Sequence, residues 1–434
     1  MKKLVSLLLS AAMMLSVFSG CGSPSNSSEA TGNSSSADKN TTITFGFWGD
    51  ANEANMKMQL ANAYMKEHPN VKIQFIYTDG NGYLTKMQTW LSSNTVPDVF
   101  GVASDTVFQF LGSDQFENLK PYIEKDSLEK DWNMDTVNSI YSSNGKICAV
   151  PFISKDFAIA YNKKLFDAAG LAYPTNDWTE DDMIKDAKAL TKGSGTNKTY
   201  GIRWGVRPTE FYRNLYGNAV YDFKNNTMNA KNNDQFKHAV SLFADTIKEG
   251  LAPDETSSAI STGGFETGKF GMQLCATWDI STFQSMIGNN FKWDVVMLPV
   301  NKQFNTRMLS TYRGNGWSMS SSSKAKDVCW DFIKYMTVNK ESQKAAQNYG
   351  MPEYQSYLNS KEYLNDFGTG TAYNKQAFID MLKYSTSFYN LGVYAQINDV
   401  IKTQYELLIA NKTSVDQLTS EVQKQGEALL ASSK

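Results

Sequence analysis

The sequence ITFGFWGDANEANMKMQLANAYMKEHPNVKIQFIYTDG, residues 43–80, decides the fold. Residues 43–48 alternate as in a β-strand, and a glycine followed by Asp50 ends that strand. Residues 52–66 then carry apolar side chains at helical spacing, and a proline ends the helix. A second alternating stretch, residues 71–77, follows at once. The unit is therefore strand, helix, strand.

The same order continues along the chain. Apolar spacing predicts a further helix over residues 83–91 and a third strand over residues 97–102. Strands that alternate with helices in this way form a parallel sheet covered by helices. About 390 residues follow the amino-terminal segment, more than one hydrophobic core usually holds, so the chain predicts two α/β lobes.

The rest of the chain carries a second α/β series. At its centre, Thr179 and Asp182 fit a capping box, with Trp178 and Met183 at the two positions of a hydrophobic staple. This assigns Trp178 to structure. The remaining strands are expected near residues 158–161, 200–204, 271–278 and 294–299, and the helices near residues 162–170, 233–248, 324–336, 393–411 and 414–430.

The amino terminus predicts export. Residues 1–20 combine two lysines, an apolar run and small residues, which is the layout of a signal peptide. The sequence Val-Phe-Ser-Gly before Cys21 resembles a bacterial lipobox, which implies lipidation of Cys21; an ordinary signal peptide with an incidental cysteine is the alternative. Residues 21–40 are small and polar and predict a flexible tether to the membrane.

Composition excludes some partners. The formal net charge is −2, from 42 basic and 44 acidic side chains, and no basic stripe is present, so nucleic acid is not an expected partner. After Cys21, the cysteines are Cys148, Cys275 and Cys329, an odd number in apolar surroundings. Buried free thiols are expected. A single bridging pair remains open.

Several segments in one order resemble the extracellular sugar-binding lipoproteins of ABC importers, the large family that includes maltose-binding protein. Each segment alone is a weak signal, and the match gains weight because all of them stand in register behind a lipobox. The segments that carry the resemblance are Ile43–Asp50, Pro97–Val99, Asn144–Lys146 through Tyr161–Lys163, Leu165–Phe166, Ala169–Leu171, Phe265–Met272, and Arg313–Trp317 through Trp330–Ile333.

The resemblance implies a type II periplasmic-binding-protein fold, an α/β architecture in which two lobes with mostly parallel sheets are joined by three crossings. The expected crossings lie near residues 149, 296 and 348. The implied function is capture of a sugar, an oligosaccharide in particular, and its delivery to an ABC permease by a monomer that is lipid-anchored at the extracytoplasmic face of the cell membrane. The implied lobes comprise residues 41–149 with 296–348, and residues 150–295 with 349–434.

The same resemblance leaves two segments without a clear pattern. These are the loop over residues 312–317 and the segment over residues 354–390. The type of sugar and the position of the last crossing therefore stay open.

Candidate ligand contacts follow from the strand ends. In open α/β sheets, ligands bind beyond the carboxyl ends of the strands. Trp48, Trp204 and Trp278 stand at such ends, and Asp50 and Asp279 follow two of them. A pyranose has apolar C–H faces and a hydroxyl edge, so its site needs flat aromatic rings beside hydrogen-bonding groups. These residues predict a sugar site.

Further residues complete this predicted site. Asp105 follows the third strand, and Arg313 would donate to hydroxyls from a fixed fork of N–H groups. Asp50 and Asp105 are equally compatible with helix caps. Trp317 is a fourth candidate among the nine tryptophans. The other five lie in apolar stretches or capping motifs and are assigned to packing; they are Trp90, Trp132, Trp178, Trp293 and Trp330. The full set predicted to bind ligand is Trp48, Asp50, Asp105, Phe152, Tyr161, Trp204, Trp278, Asp279, Tyr312, Arg313, Trp317 and Tyr389.

Enzymatic chemistry finds little support, and no catalytic residue, metal site or cofactor is predicted. Residues 263–269 have the spacing of a phosphate-binding loop, but Phe270 stands where a hydroxyl residue would hold magnesium. Only two histidines exist, His68 and His238, which disfavours a histidine metal site or a serine–histidine pair. Two alternatives stay open: a surface glycoside hydrolase that uses paired carboxylates, and a sugar sensor or adhesin without transport.

Overall fold

The computed structural model describes residues 40–205, 214–222, 225–254, 263–368, 370–387 and 393–432. Its strands are β1 Thr41–Trp48, β2 Val71–Thr78, β3 Val99–Ala103, β4 Ser142–Ser143, β5 Lys146–Ile147, β6 Val150–Lys155, β7 Phe157–Asn162, β8 Tyr200–Arg203, β9 Tyr221–Asp222, β10 Thr227–Met228, β11 Phe270–Ala276, β12 Trp293–Val296, β13 Val300–Asn301, β14 Thr306–Arg307, β15 Ser310–Met319, β16 Met351–Pro352 and β17 Ser385–Ser387.

The helices alternate with these strands along much of the chain. They are α1 Ala51–Glu67, α2 Gly80–Ser93, α3 Lys120–Asp126, α4 Met134–Ile140, α5 Lys163–Ala169, α6 Glu180–Leu190, α7 Asp234–Lys248, α8 Asp279–Ile287, α9 Lys326–Val338, α10 Lys340–Ala346, α11 Gln355–Leu358, α12 Lys361–Asn365, α13 Lys375–Met381, α14 Val393–Ile409 and α15 Val415–Ser432.

The opening unit folds as its sequence pattern predicts. β1 pairs in parallel with β2 from Thr41 beside Val71 to Trp48 beside Thr78, and it also pairs in parallel with β3. The Asp50 carboxylate caps α1 by accepting hydrogen bonds from the amides of Asn52 and Glu53, at 2.8 and 2.9 Å. The parallel strands place the end of β1 and the start of α1 at one edge of the sheet.

Two sheets form the cores of the molecule. The first has the order β16-β6-β15-β3-β1-β2, with β17 paired to β15, and the second has the order β12-β7-β11-β8. Both sheets are mixed, whereas the sequence predicts mostly parallel ones. β15 runs antiparallel to β3 and β6, and β7 runs antiparallel to β11 and β12. The two-lobed α/β class itself is as predicted.

Strand pairing shows where the chain passes between the sheets. β6 belongs to the first sheet and β7 to the second, so Asp156 is the single residue between them. The chain returns to the first sheet at Ser310, and the two-residue strand β16 also pairs there, with β6. The lobe limits predicted from the sequence stay a prediction. They assign β6 and β16 to the second lobe, although both strands pair in the first sheet.

Local capping in the second lobe is as predicted. The Thr179 hydroxyl accepts from the Asp182 amide, and the Asp182 carboxylate accepts from the Thr179 amide, so both halves of the capping box are formed. The Trp178 indole is buried and donates to the carbonyl oxygen of Met297 at 2.8 Å. Trp178 is therefore a packing residue, which confirms its assignment.

Two further sequence features have defined places. Cys148, Cys275 and Cys329 are buried free thiols, and burial raises the pKa of Cys148 to about 11. Phe270, at the end of the phosphate-loop-like sequence, is the fully buried first residue of β11. Within the described ranges, no helix combines the length and the apolar character that crossing a membrane requires.

Candidate functional site

A cavity of about 980 Å³ lies between elements of the two lobes. The first lobe contributes Asp50, Asn52 and Glu53 from the start of α1, and Lys155 from the end of β6. The second lobe contributes the segment 277–285, which contains most of α8. Residues 347–349 and the segment around Phe367 line the remaining wall. The cavity therefore joins the carboxyl end of β1 to the carboxyl end of β11.

On the first-lobe side, Glu53 is the central charged group. It is 8% exposed and accepts a hydrogen bond from the Lys57 ammonium at 3.0 Å. Asn315 donates at 3.4 Å to the same carboxylate oxygen that accepts from Lys57, and the other carboxylate oxygen lies 4.0 Å from the Lys155 ammonium. Sequence reasoning missed Glu53 and Lys57, because a helical charge is ordinarily solvated and nothing in the spacing shows that α1 turns these two side chains inward. It also missed Lys155, a single charge at the end of β6.

Asp105 and Arg313 belong to the same edge of the first sheet. Burial raises the pKa of the Asp105 carboxyl, while the charges of Arg313 and Lys155 oppose that rise. The amide of Gly314 donates to the Ser104 hydroxyl at 2.8 Å, which ties the β15 backbone to the residue before Asp105. The charge of Arg313 thus acts on Asp105, but neither residue lines the cavity, so their contact with ligand stays a prediction.

On the second-lobe side, Trp278 ends the loop after β11 and lies directly before α8. Its indole is half-buried, and its ring packs edge-on against Phe157 at a centroid distance of 5.2 Å. The Lys155 ammonium lies 6.0 Å from the centroid of the Trp278 ring. Trp278 and the neighbouring Asp279 both line the cavity, and their contact with ligand stays a prediction.

Asp279 has an unusual electrostatic environment. Burial raises the pKa of its carboxyl to about 6, although the charge of Arg203 opposes the rise. One carboxylate oxygen accepts a hydrogen bond from the Ala276 amide at 2.9 Å. The carboxyl is therefore held in place by the backbone while its lining position leaves it beside the cavity, where it can accept from a hydroxyl group.

The wall around Phe367 belongs to residues 354–390, a segment in which no clear family pattern is present. Burial lowers the pKa of the Lys375 ammonium to about 8. This ammonium donates to the carbonyl oxygens of Tyr363 and Asp366, at 2.9 and 2.6 Å, and lies 5.1 Å from the Phe367 ring centroid. Lys375 therefore fixes a loop that presents an aromatic ring to the cavity.

Trp48 is half-buried and lies outside the cavity lining. Its ring packs on Tyr83 at 4.7 Å between centroids, and Gly101 lies so close that a Cβ there would come within 2.7 Å of the indole. The Lys57 ammonium lies 5.0 Å from the centroid of the Trp48 ring. Trp48 is not among the residues that line the cavity of about 980 Å³, so its contact with ligand stays a prediction.

Three predicted contacts lie in hydrophobic cores. Trp204 is 4% exposed, packs on Phe243, and donates to the Thr246 hydroxyl at 2.9 Å. Trp317 is 2% exposed and packs against the fully buried Phe152 at a centroid distance of 5.4 Å. The predictions of ligand contact for Trp204, Trp317 and Phe152 are therefore wrong in this structure.

Two predicted tyrosines also lie away from the cavity. Tyr161 pairs with Met272 near the start of β11, four residues from the Trp278 end of that strand, which is about 13 Å along the sheet. Tyr312 is buried and donates to the Glu353 carboxylate at 3.1 Å. Both predictions are corrected accordingly. Tyr389 lies outside the described residues.

A pair of buried carboxyl groups lies where the sheets meet. Asp156 is fully buried and accepts hydrogen bonds from the Phe157 amide, at 2.8 Å, and from the hydroxyls of Ser385 and Ser310. Glu353 is 3% exposed. Burial raises the pKa of each of these two carboxyls to about 7. Among the described residues, no cluster of three or more potential metal ligands is present.

Two lobes of mixed α/β architecture around a polar and aromatic cavity define a periplasmic-binding protein of type II. Residues 50–344 match the model of the family described as bacterial extracellular solute-binding protein, and the chain belongs to this family. The maltotriose-binding protein of Pyrococcus abyssi is 23% identical over 333 residues, which cover 74% of this chain and 69% of that protein.

Solved structures show the same fold. An ABC substrate-binding protein from Listeria monocytogenes, in complex with cycloalternan, superposes with a TM-score of 0.73 at 22% identity and covers 90% of this chain and 99% of its own. The sugar-binding protein MalE from Xanthomonas citri superposes with a TM-score of 0.75 at 20% identity, covering 91% of this chain and 98% of its own. At these identities the likeness defines the fold.

Proposed function

We propose that this chain captures a sugar, an oligosaccharide in particular, in the cavity between its lobes. The observation that carries the proposal is the arrangement around Trp278. A half-exposed indole face stands beside the Asp279 carboxyl, with the Lys155 ammonium and the Glu53 carboxylate opposite, all on one cavity. A flat apolar surface ringed by donors and acceptors matches the C–H face and hydroxyl edge of a pyranose.

The volume of the cavity and the similarity to sugar-binding proteins support the same ligand class. A cavity of about 980 Å³ is large for one monosaccharide, and Phe367 offers a second aromatic ring on its wall. The relative in Pyrococcus abyssi is named for maltotriose, and the Listeria structure holds cycloalternan. We therefore favour a ligand of several sugar units.

Binding would favour the closed arrangement of the lobes. A ligand shifts an equilibrium only by its differential affinity for the two states, and a sugar that touches both Trp278 and Glu53 contacts both lobes only when they are close. The proposal includes delivery of the closed, loaded form to an ABC permease. It also includes lipidation at Cys21, a monomeric state, a place at the extracytoplasmic membrane face, and binding without hydrolysis.

The test is a melting experiment with a panel of neutral oligosaccharides. A ligand at 100 times its Kd adds about 2.7 kcal/mol to the free energy of unfolding, which raises the melting temperature measurably. Trp278→Ala should abolish this rise. Met286→Ala is the matched control, because Met286 lies on the same helix, is 59% exposed, and is absent from the cavity lining.

Other outcomes would contradict parts of this function. If no saccharide raises the melting temperature of the wild-type protein, the ligand class is wrong. If the bound oligosaccharide is cleaved over hours and Asp279→Asn abolishes cleavage, the protein is a glycoside hydrolase. If a saccharide binds but reconstituted permease vesicles do not take it up, the sensing or adhesion role is favoured over transport.

A further inference from the structure

Lys57 is buried to an extent that is rare for a lysine in a helix. Its side chain is 1% exposed, and burial lowers the pKa of its ammonium. The ammonium donates to the carbonyl oxygen of Trp48 at 2.7 Å and to Glu53 at 3.0 Å. It also lies 5.0 and 5.6 Å from the ring centroids of Trp48 and Trp317. The buried charge therefore lies directly behind the carboxyl end of β1.

The contacts continue from Lys57 across to the second lobe. Glu53, which accepts from Lys57, faces the Lys155 ammonium at 4.0 Å, and that ammonium lies 6.0 Å from the centroid of the Trp278 ring. Lys155 is the last residue of β6, so it stands beside the point where the chain passes to the second sheet. Lys57, Glu53 and Lys155, here called the charge chain, thus run from Trp48 to Trp278.

Stability alone does not account for a charge chain at this position. Burying an ammonium and a carboxylate carries a large desolvation penalty, and well-packed apolar side chains of similar volume often stabilise a fold equally well. The arrangement instead fixes the orientation of three groups, namely the Trp48 carbonyl, the Glu53 carboxylate and the Lys155 ammonium, of which the last two face the cavity.

We propose that Lys57 is a positioning residue for sugar binding, which acts through Glu53 to hold Lys155 and the Trp278 face in the arrangement that the ligand requires. The inference rests on the proposed function of the same cavity. Lys57 itself does not line the cavity. Glu53 and Lys155 do line the cavity, so the buried Lys57 ammonium affects the site by holding these two side chains in place.

The experiment measures the Kd of the wild type, K57M, E53Q and K57M/E53Q by calorimetry, using the saccharide that raises the melting temperature of the wild type most. K57M and E53Q should each raise the Kd at least tenfold. Because Lys57 acts through Glu53, K57M should raise the Kd less than threefold when it is added to E53Q. The double variant removes both partners of the 3.0 Å pair, so its Kd does not depend on a chain with one partner left buried and unpaired. A wild-type Kd for K57M, or an equally large further rise when K57M is added to E53Q, would overturn the role of Lys57.

A matched control separates positioning from a general loss of ion pairs. Lys326 and Glu117 form a pair at 2.7 Å in the same lobe, away from the cavity lining. The variant K326M/E117Q should bind the saccharide with wild-type Kd. A rise in its Kd comparable to that of K57M/E53Q would overturn the inference, because the effect would then be a general consequence of removing a pair.

A second measurement does not depend on the folding of the Lys57 variants. Lys155→Arg keeps a cation between Glu53 and the Trp278 ring and should keep both the affinity and the ligand-induced change in tryptophan emission. Lys155→Met should weaken binding at least tenfold and remove most of that change. Equal behaviour of the two variants would overturn the inference. Failure of the wild type to bind any saccharide would remove the proposed function and this inference together, whereas normal binding by Lys155→Met removes the inference alone.

Discussion

Two groups of buried ionisable side chains lie on either side of Lys155, and they differ in whether a cation stands beside the carboxylate. In the charge chain, the Glu53 carboxylate lies near two ammonium groups, at 3.0 and 4.0 Å. At the crossing between the sheets, Asp156 and Glu353 accept hydrogen bonds from hydroxyl and amide groups, and no ion pair within the described ranges includes either of them.

The difference separates two effects of burial. Burial of an unpaired carboxyl favours its neutral form, and it raises the pKa of both Asp156 and Glu353 to about 7. A cation beside a carboxylate offsets that penalty, so the charge chain can hold fixed charges close to the cavity. We therefore expect the charge chain to dominate the effect of single substitutions, and the crossing to dominate the dependence of stability on pH.

The largest effect is expected for Lys57→Met alone. The substitution leaves the buried Glu53 carboxylate with only the longer contacts to Lys155 and Asn315. Breaking a buried pair by removing one partner costs about 3–5 kcal/mol, and the two remaining contacts favour the lower end of that range. Urea unfolding at pH 7 measures it. A loss below about 1 kcal/mol would show that Glu53 does not depend on Lys57.

The second effect is a change in the pH dependence of stability for Asp156→Asn. Burial raises the pKa of Asp156 from 3.8 to about 7, so between these values the folded protein keeps a proton that the unfolded chain has released. The free energy of unfolding therefore falls as pH rises from about 4 to about 7, by at most about 1.4 kcal/mol per pH unit for one group. Asparagine cannot titrate, so the variant should lose this slope.

Denaturant titrations of both proteins at pH 4.5, 5.5, 6.5 and 7.5 check the prediction. The stability difference between Asp156→Asn and the wild type should move in favour of the variant at each step upward in pH. Asp167→Asn is a suitable control, because Asp167 lies on the short helix α5, where its carboxylate accepts from the Tyr173 hydroxyl in an exposed contact. Parallel curves for Asp156→Asn and the wild type would show that Asp156 does not hold a proton at neutral pH.

Much of the fold could be predicted from local patterns. Strand alternation and helical spacing gave β1, α1 and β2 within one or two residues, and the capping box at Thr179 fixed the start of α6. The direction of β6 and β15 could not be predicted in this way. Alternation is the same for parallel and antiparallel strands, and only the return of the chain between sheets decides their pairing.

The site was predicted less completely, because strand ends give position but not orientation. Trp204 and Trp278 both follow strands whose carboxyl ends face the same edge of the second sheet. Trp204 nevertheless turns into the core, where Thr246 accepts its indole N–H, while Trp278 precedes a helix and faces the cavity. Lys57 could not be predicted at all, since its place on α1 resembles that of any solvated lysine.

A smaller effect is expected for Glu353→Gln, which tests whether the two acids at the crossing interact. The charge of Glu353 is one cause of the raised pKa of Asp156, although burial is the largest. Burial also raises the pKa of Glu353 itself from 4.5 to about 7, so Glu353→Gln should lose the slope that Glu353 contributes, as Asp156→Asn loses its own. The pKa of Asp156 should fall as well, so the remaining loss of stability should end at a pH that is lower by less than about one unit. The same titrations measure the slope and the pH at which it ends. A remaining slope that ends at the same pH as in the wild type would mean that Asp156 and Glu353 titrate independently.

The smallest effect on stability is expected for an acidic side chain that is half exposed and already paired with a lysine. Glu249 lies 3.1 Å from the Lys188 ammonium, and both side chains are about half exposed, at 49% and 55%. Water screens this pair, and such pairs contribute about 0–1 kcal/mol. Glu249→Gln should therefore change the free energy of unfolding by less than about 0.5 kcal/mol, as urea unfolding at pH 7 measures. A loss near that of Lys57→Met would mean that pairing, not burial, sets the strength of these contacts.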